Sequence, residues 1–251
     1  MTLPVTPSFR LDGRRALVTG AGRGIGLAAA AALGAAGAAV TLVARSADEV
    51  RAGAEAIGAD ADWATLDVAD LDAVATFFEQ RAAFDILVNN AGTNRPKPMT
   101  EVTVADYDAV LGLNLRSAFF VAQACARRMI EAGTRGSLIH MGSQMGHVAG
   151  PGRSLYCASK WGLEGMSKAF ALDLAAAGIR SNTIAPTFID TPLTRPYFED
   201  AAFKASVLAK IKLGRLGRVE DLMGAILFLA SDASALMTGT SLIVDGGWTA
   251  D

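Results

Sequence analysis

Short runs that are apolar almost throughout alternate with longer stretches of helical periodicity nearly to the end of the chain. Residues 15–19, 38–44, 63–66, 85–89, 137–141, 180–185 and 241–244 read as strands. Helices are predicted near 24–36, 47–57, 70–81, 103–131, 154–177 and 219–231. Strands that are continuously apolar, rather than alternating, suit a parallel sheet covered on both faces. The alternation predicts a doubly wound α/β sheet of seven parallel strands with helices on both faces. Residues 11–251 read as one domain, behind an N-terminal tail over 1–10 that carries Pro4 and Pro7.

One interval breaks the rhythm. From Pro186 to about Lys212 no strand is evident, and Pro186, Pro192 and Pro196 punctuate a mixed segment. It follows the sixth strand, at the carboxyl edge where such sheets bind ligands. A lid near 187–212 is expected there; an ordinary surface excursion is the other reading.

Composition narrows the class without naming it. Lys and Arg total 23 and Asp and Glu 25, and no basic run offers the footprint that nucleic acid requires. No stretch reaches 18 uninterrupted apolar residues, so no membrane span is expected. Cys125 and Cys157 both fall in helical patterns and make no disulfide framework, which fits a reducing cytoplasm. His140 and His147 are the two histidines, too few to build a zinc site, and no metal is expected.

The first strand runs into Thr19-Gly20-Ala21-Gly22-Arg23-Gly24-Ile25-Gly26, ahead of an alanine-rich helix. Glycines there let main-chain N–H groups approach a pyrophosphate, and the helix N-terminus points its dipole at the anion. The strand–turn–helix context is what gives the spacing weight. A ribose 2′-hydroxyl is normally read by an acid at the end of strand two. Here that strand ends in Ala44-Arg45-Ser46, while Ser46 and Glu49 have the spacing of a capping box. Arg45, with Arg23, can meet a 2′-phosphate through charge-assisted hydrogen bonds. NADP(H) is therefore the preferred cofactor, with NAD(H) as the alternative; both arginines also suit a solvated surface.

Tyr156 and Lys160 are four residues apart at the start of a helical run and share a face. A free tyrosine has a pKa near 10, too high for efficient proton exchange at neutrality, and an adjacent cation lowers it. Ser143 closes the fifth strand, where its hydroxyl can bond a substrate oxygen. Asn89-Asn90-Ala91-Gly92 ends the fourth, and Asn114 lies between Leu113 and Leu115 in the helix that follows. A polar residue in an apolar helix needs a partner, which water or a backbone group would supply. A helix-bending role would also account for it.

With these motifs in order, the chain resembles the short-chain dehydrogenase/reductase family over essentially 11–248. The resemblance rests on the 19–26 turn, the N-N-A-G at 89–92, and Asn114, Ser143, Tyr156 and Lys160. It implies a Rossmann fold and division of the chemistry among those four residues. Tyr156 would exchange the proton on the substrate oxygen, and Lys160 would hold the nicotinamide ribose and lower the tyrosine pKa. Ser143 would polarise the carbonyl, and Asn114 would anchor a relay water. Asp67, next to Val68, matches the adenine-contacting aspartate. Pro186-Thr187 replaces the usual Pro-Gly after strand six, with Ile189 and Thr191 placed to touch the carboxamide. The family also implies a homotetramer paired through the helices near 103–131 and 154–177 and through the C-terminal segments.

For the substrate the expected wall contains Asn94, Arg95, Gln144, His147, Arg153 and Phe188, a polar set. It favours a small hydroxylated or acidic molecule: a sugar acid, a polyol or a keto acid. Reduction of a 3-oxoacyl thioester is the alternative chemistry. A dinucleotide-binding regulatory protein without catalysis is the alternative class, against which the intact Ser143, Tyr156 and Lys160 argue.

Overall fold

A computed structural model describes residues 1–250. Seven strands, β1 (Arg15–Thr19), β2 (Ala39–Ala44), β3 (Ala61–Thr65), β4 (Ile86–Asn89), β5 (Ser137–Met141), β6 (Arg180–Pro186) and β7 (Ser241–Val244), form one sheet. Their order is β3-β2-β1-β4-β5-β6-β7, and every neighbouring pair is parallel. The order reverses between β1 and β4, and the crevice beyond their carboxyl ends is where such sheets bind ligands. The doubly wound sheet expected from the hydrophobic pattern is present.

Successive side chains of a strand point to opposite faces, and each face has its own core. Val18, Val88, Ile139 and Ile184 meet α1 (Gly24–Ala35) and α8 (Glu220–Ala230) through Leu33, Leu222, Ile226 and Leu229. Their strand neighbours Leu17, Leu87 and Leu138 face the other way, with Phe77 and Phe78 of α3 (Leu71–Glu79) and Val121 and Met129 of α5 (Ala118–Glu131). α2 (Ala47–Ile57) packs on β2 and β3. The buried stripe of α6 (Ser154–Leu174) is unusually polar, holding Ser159, Lys160, Glu164 and Ser167.

Two expectations about the elements change. The single helix predicted over 103–131 is α4 (Val104–Leu111) and α5 joined by a π-helical turn at Gly112–Ser117, which carries Asn114. The run Val104–Glu131 is long and apolar enough to cross a membrane, yet Val110, Val121, Ala122, Cys125 and Met129 are buried within the fold. The segment after β6 is also more ordered than its prolines suggested. It contains a 3-10 turn at Arg195–Glu199 and α7 (Ala201–Leu208). Asp200 caps α7, accepting from the Ala202 and Phe203 N–H groups at 2.9 and 3.1 Å.

Candidate active site

The glycine-rich turn leaves β1 at Thr19 and enters α1 at Gly24. Gly24 has φ +58°, a conformation that side chains disfavour. A Cβ on Gly26 would lie 2.3 Å from the Gly20 carbonyl oxygen, so the helix can pack this close only without one. The turn is stitched to the loop after β4. Thr19 Oγ1 accepts from the Asn90 and Ala91 N–H groups at 3.0 and 3.1 Å, while Asn90 Nδ2 donates to the Thr19 and Gly20 carbonyls. No side chain caps α1 and no acid stands in its first turn, leaving N–H groups and the positive dipole end for an anion. Gly22 and Ile25 lie in the same turn, and Ile25 reaches the cavity described below.

The two arginines at this end differ. Arg23 Nη1 pairs with Glu49 Oε1 at 3.3 Å. The Glu49 N–H reaches Ser46 Oγ at 3.4 Å, so Ser46 caps α2, but the glutamate side chain turns to Arg23 instead of closing the capping box. Arg45 is exposed and has no hydrogen bond or ion pair among the described residues. It is the cation of this end that remains unneutralised. Asp67 lies exposed beyond β3, its Oδ1 accepting from the Ala69 N–H at 3.0 Å, with Val68 buried beside it.

At the other end of the crevice a cavity opens between the strand ends and the segment after β6. β4 and its loop contribute Asn90, Gly92, Thr93 and Asn94; β5 and its loop contribute Ser143, Gln144 and Met145. Arg153, Tyr156 and Lys160 line it from the start of α6, and Pro186, Thr187, Phe188, Ile189 and Thr191 from the end of β6. Leu193, Thr194 and Tyr197 complete the wall. Thr194 is braced by donating to the Ile189 carbonyl at 2.5 Å and accepting from the Thr191 N–H at 3.1 Å.

Asn114 is held from two directions. Its Oδ1 accepts from the Thr93 N–H at 2.7 Å, and its Nδ2 donates to the Thr93 carbonyl at 2.9 Å and to Ser159 Oγ at 3.1 Å. The partner left open by the sequence is therefore backbone, and the contact ties the cavity loop to α6. Ser143 Oγ donates to Gln144 Oε1 at 2.8 Å and accepts from the Met145 N–H at 3.1 Å.

Lys160 Nζ donates to the Met141 carbonyl at 2.6 Å and stands 5.6 Å from the centre of the Tyr156 ring. Burial pulls this ammonium down to about 8, with Glu164 opposing. Burial raises the Tyr156 phenol above its usual value, while the nearby Ser143 hydroxyl and the charge of Arg153 pull against it. At this phenol desolvation outweighs the neighbouring charges. Beneath the site His140 is buried against Ser181 Oγ at 3.3 Å and held down to about 4, so it is neutral.

Two residues expected on the substrate wall lie elsewhere. Arg95 pairs with Asp106 at 3.3 Å, where Lys97 joins it, and His147 Nε2 bonds Ser241 Oγ at 2.9 Å near Glu164. In both cases a charged or polar partner outside the cavity captures the side chain. Asn94, Gln144, Arg153 and Phe188 do reach the cavity. Thr93, Met145, Leu193, Thr194 and Tyr197 also line the cavity, and the only mark of the last three in the sequence is the proline-punctuated segment that carries them.

A parallel sheet with a glycine turn at its switch point, and a tyrosine and lysine one helical turn apart beside it, defines a dinucleotide-binding α/β enzyme class. A family model described as enoyl-(acyl carrier protein) reductase matches residues 20–249. Gluconate 5-dehydrogenase of Gluconobacter oxydans is 40% identical over 248 residues, covering 96% of each chain. D-threitol dehydrogenase of Mycolicibacterium smegmatis is 40% identical over 259 residues, covering 98% of this chain and 97% of the relative. A crystal structure of gluconate 5-dehydrogenase from Burkholderia cenocepacia in complex with NADP and tartrate superposes with a TM-score of 0.93 at 40% identity, covering 97% and 98%. The chain belongs to the short-chain dehydrogenase/reductase family.

Proposed function

We propose that this protein transfers a hydride between NADP(H) and the ketone or secondary alcohol of a small, sugar-derived compound. The observation that carries the reading is the joint placement of Ser143, Tyr156 and Lys160 on the wall of one cavity at the carboxyl edge of the sheet. Family membership supports the chemistry, and relatives named for sugar acids and for polyols support the compound class.

The residues fit the cofactor. The uncapped N-terminus of α1 suits a pyrophosphate, and unpaired Arg45 suits a 2′-phosphate. Thr187 Oγ1, where the family pattern has glycine, is a buried hydroxyl without a partner among the described residues, and Pro186, Ile189 and Thr191 adjoin it. A carboxamide would satisfy it. Asp67 and Val68 would border the adenine, and Ala91 and Gly92 the sugars between.

Bound NADPH would supply the hydride; the remaining steps belong to the chain. Tyr156 would protonate the oxygen on reduction and take the proton back on oxidation. Ser143 would turn from Gln144 Oε1 to donate to that same oxygen. Lys160 would hold the ribose hydroxyls and, once charged groups surround it, favour the phenolate. Asn114 would keep the Thr93 loop and Ser159 in register and anchor a water for proton exchange.

The segment 187–212 would act as a lid over the single domain, its Phe188 and Tyr197 already on the cavity wall. Phe119, Phe120, Trp161 and Leu172, exposed on α5 and α6, favour the homotetramer that the family implies. Two free thiols favour the cytoplasm.

Thermal-shift titration with NADPH and NADH, followed by a screen of ketones and alcohols that includes a 3-oxoacyl thioester, tests the reading. Tighter binding of NADPH and turnover of a sugar-derived compound are expected. Thioester turnover alone would overturn the substrate class, and binding without any turnover the enzymatic reading.

A further inference from the structure

Arg153 stands apart from the other cations of the protein. It is only 7% exposed, it lines the cavity, and it has neither a hydrogen bond nor an ion pair from its side chain among the described residues. The guanidinium lies 5.8 Å from the centre of the Phe188 ring and 5.3 Å from that of Tyr197. Aromatic faces steady a cation, but they accept none of its five N–H groups. Arginine cannot escape the cost of burial by losing its proton. A buried charge normally has a counter-charge, and here the open side is the cavity. Arg153 also precedes the first residue of the 21-residue helix α6, whose N-terminus has no side-chain cap, so the helix dipole adds positive potential at the same place. Tyr156 stands one helical turn further on.

We propose that Arg153 anchors a substrate carboxylate, so that the compounds turned over are small hydroxy or keto acids of the sugar-acid kind rather than neutral polyols. The proposal rests on the reading of this cavity as the substrate site, and it decides a point that sugar-acid and polyol relatives of equal identity leave open. The planar fork matches a carboxylate with two parallel hydrogen bonds, which a hydroxyl cannot reproduce. Gln144, buried on the same wall, offers the hydroxyls a polar partner.

The test compares matched pairs, gluconate with glucitol and threonate with threitol, in NADP+ reduction by the wild type, Arg153→Gln and Arg153→Lys. Tartrate and gluconate binding is measured separately by titration in the presence of NADPH. The wild type is expected to favour each acid. Arg153→Gln should lower the acid-to-polyol ratio of kcat/KM by about 10- to 150-fold, the range for a charged hydrogen bond, chiefly through KM. Arg153→Lys should fall between, since it keeps the charge and loses the fork. Removing the Arg153 charge also affects Tyr156, and the ratio cancels that effect because both members of a pair use the same tyrosine. An unchanged NADPH Kd shows that each variant is folded.

A wild type that prefers the polyols, or a ratio that Arg153→Gln leaves unchanged, would overturn the anchor while leaving the oxidoreductase reading intact. If neither member of any pair is turned over, the proposed function fails for this compound class, and the titrations decide the anchor alone. Carboxylate binding lost in Arg153→Gln supports it; equal or absent binding in the wild type overturns it.

Discussion

At the β1–β2 end of the crevice the atoms that face a ligand belong mainly to the backbone, whereas at the β5–β6 end they belong to side chains. The first end consists of uncapped N–H groups of α1, a turn that Asn90 and Thr19 clamp, and one unpaired arginine at its edge. The second gathers Ser143, Tyr156, Lys160 and Arg153 from two elements and walls them with a segment from a third. A backbone site tolerates most side-chain changes but not an added Cβ, as the 2.3 Å approach at Gly26 shows. A side-chain site keeps its shape when a residue changes but loses its chemistry. Binding and turnover should therefore separate cleanly between the two ends.

The largest expected separation is at Tyr156. Tyr156→Phe should keep the NADPH Kd, measured by fluorescence titration, and lower kcat by about 10²- to 10⁴-fold, the usual contribution of proton transfer. Full turnover in that variant would remove the tyrosine from the mechanism.

Arg45 gives the opposite pattern at the opposite end. Arg45→Asp should weaken NADPH binding by about 10- to 150-fold, the range for hydrogen bonds to a charged group, with far less effect on NADH. Equal changes in the two Kd values would show that Arg45 does not meet the 2′-phosphate.

Lys160 gives the smallest effect, a shift in titration. In the cofactor-free protein its ammonium should lose its proton near pH 8, against the ordinary 10.5. The unfolded chain keeps that proton longer, so the contribution of this group to stability rises as pH goes from 8 towards 10.5. NMR of ¹³C-labelled lysine should show one resonance with a midpoint near 8 that vanishes in Lys160→Met. If every lysine titrates near its ordinary value, burial does not control this site.

How far the sequence revealed each end follows from the same contrast. Glycine spacing after a strand reports backbone geometry directly, so the turn and its helix were legible. The apolar strands fixed the order of elements, and Tyr156 and Lys160 were legible because four residues make one helical turn. Side chains that choose among distant partners were not. Arg95 and His147 looked like cavity residues until Asp106 and Ser241, far along the chain or on another element, claimed them. Tyr197 reaches the wall because the chain after β6 folds back; the prolines mark that segment but not which of its side chains face the cavity. Nor does spacing reveal that burial would raise Tyr156 despite a lysine one turn away.

The central claim is hydride transfer between NADP(H) and a carbon that bears oxygen. It is tested most directly with NADPH deuterated at the transferring position of the nicotinamide and a ketone from the screen, followed by mass spectrometry of the alcohol. One deuterium is expected on the carbinol carbon in the wild type, formed far more slowly in Tyr156→Phe. An alcohol without deuterium, or NADPH that binds and is never oxidised by any ketone, would contradict it.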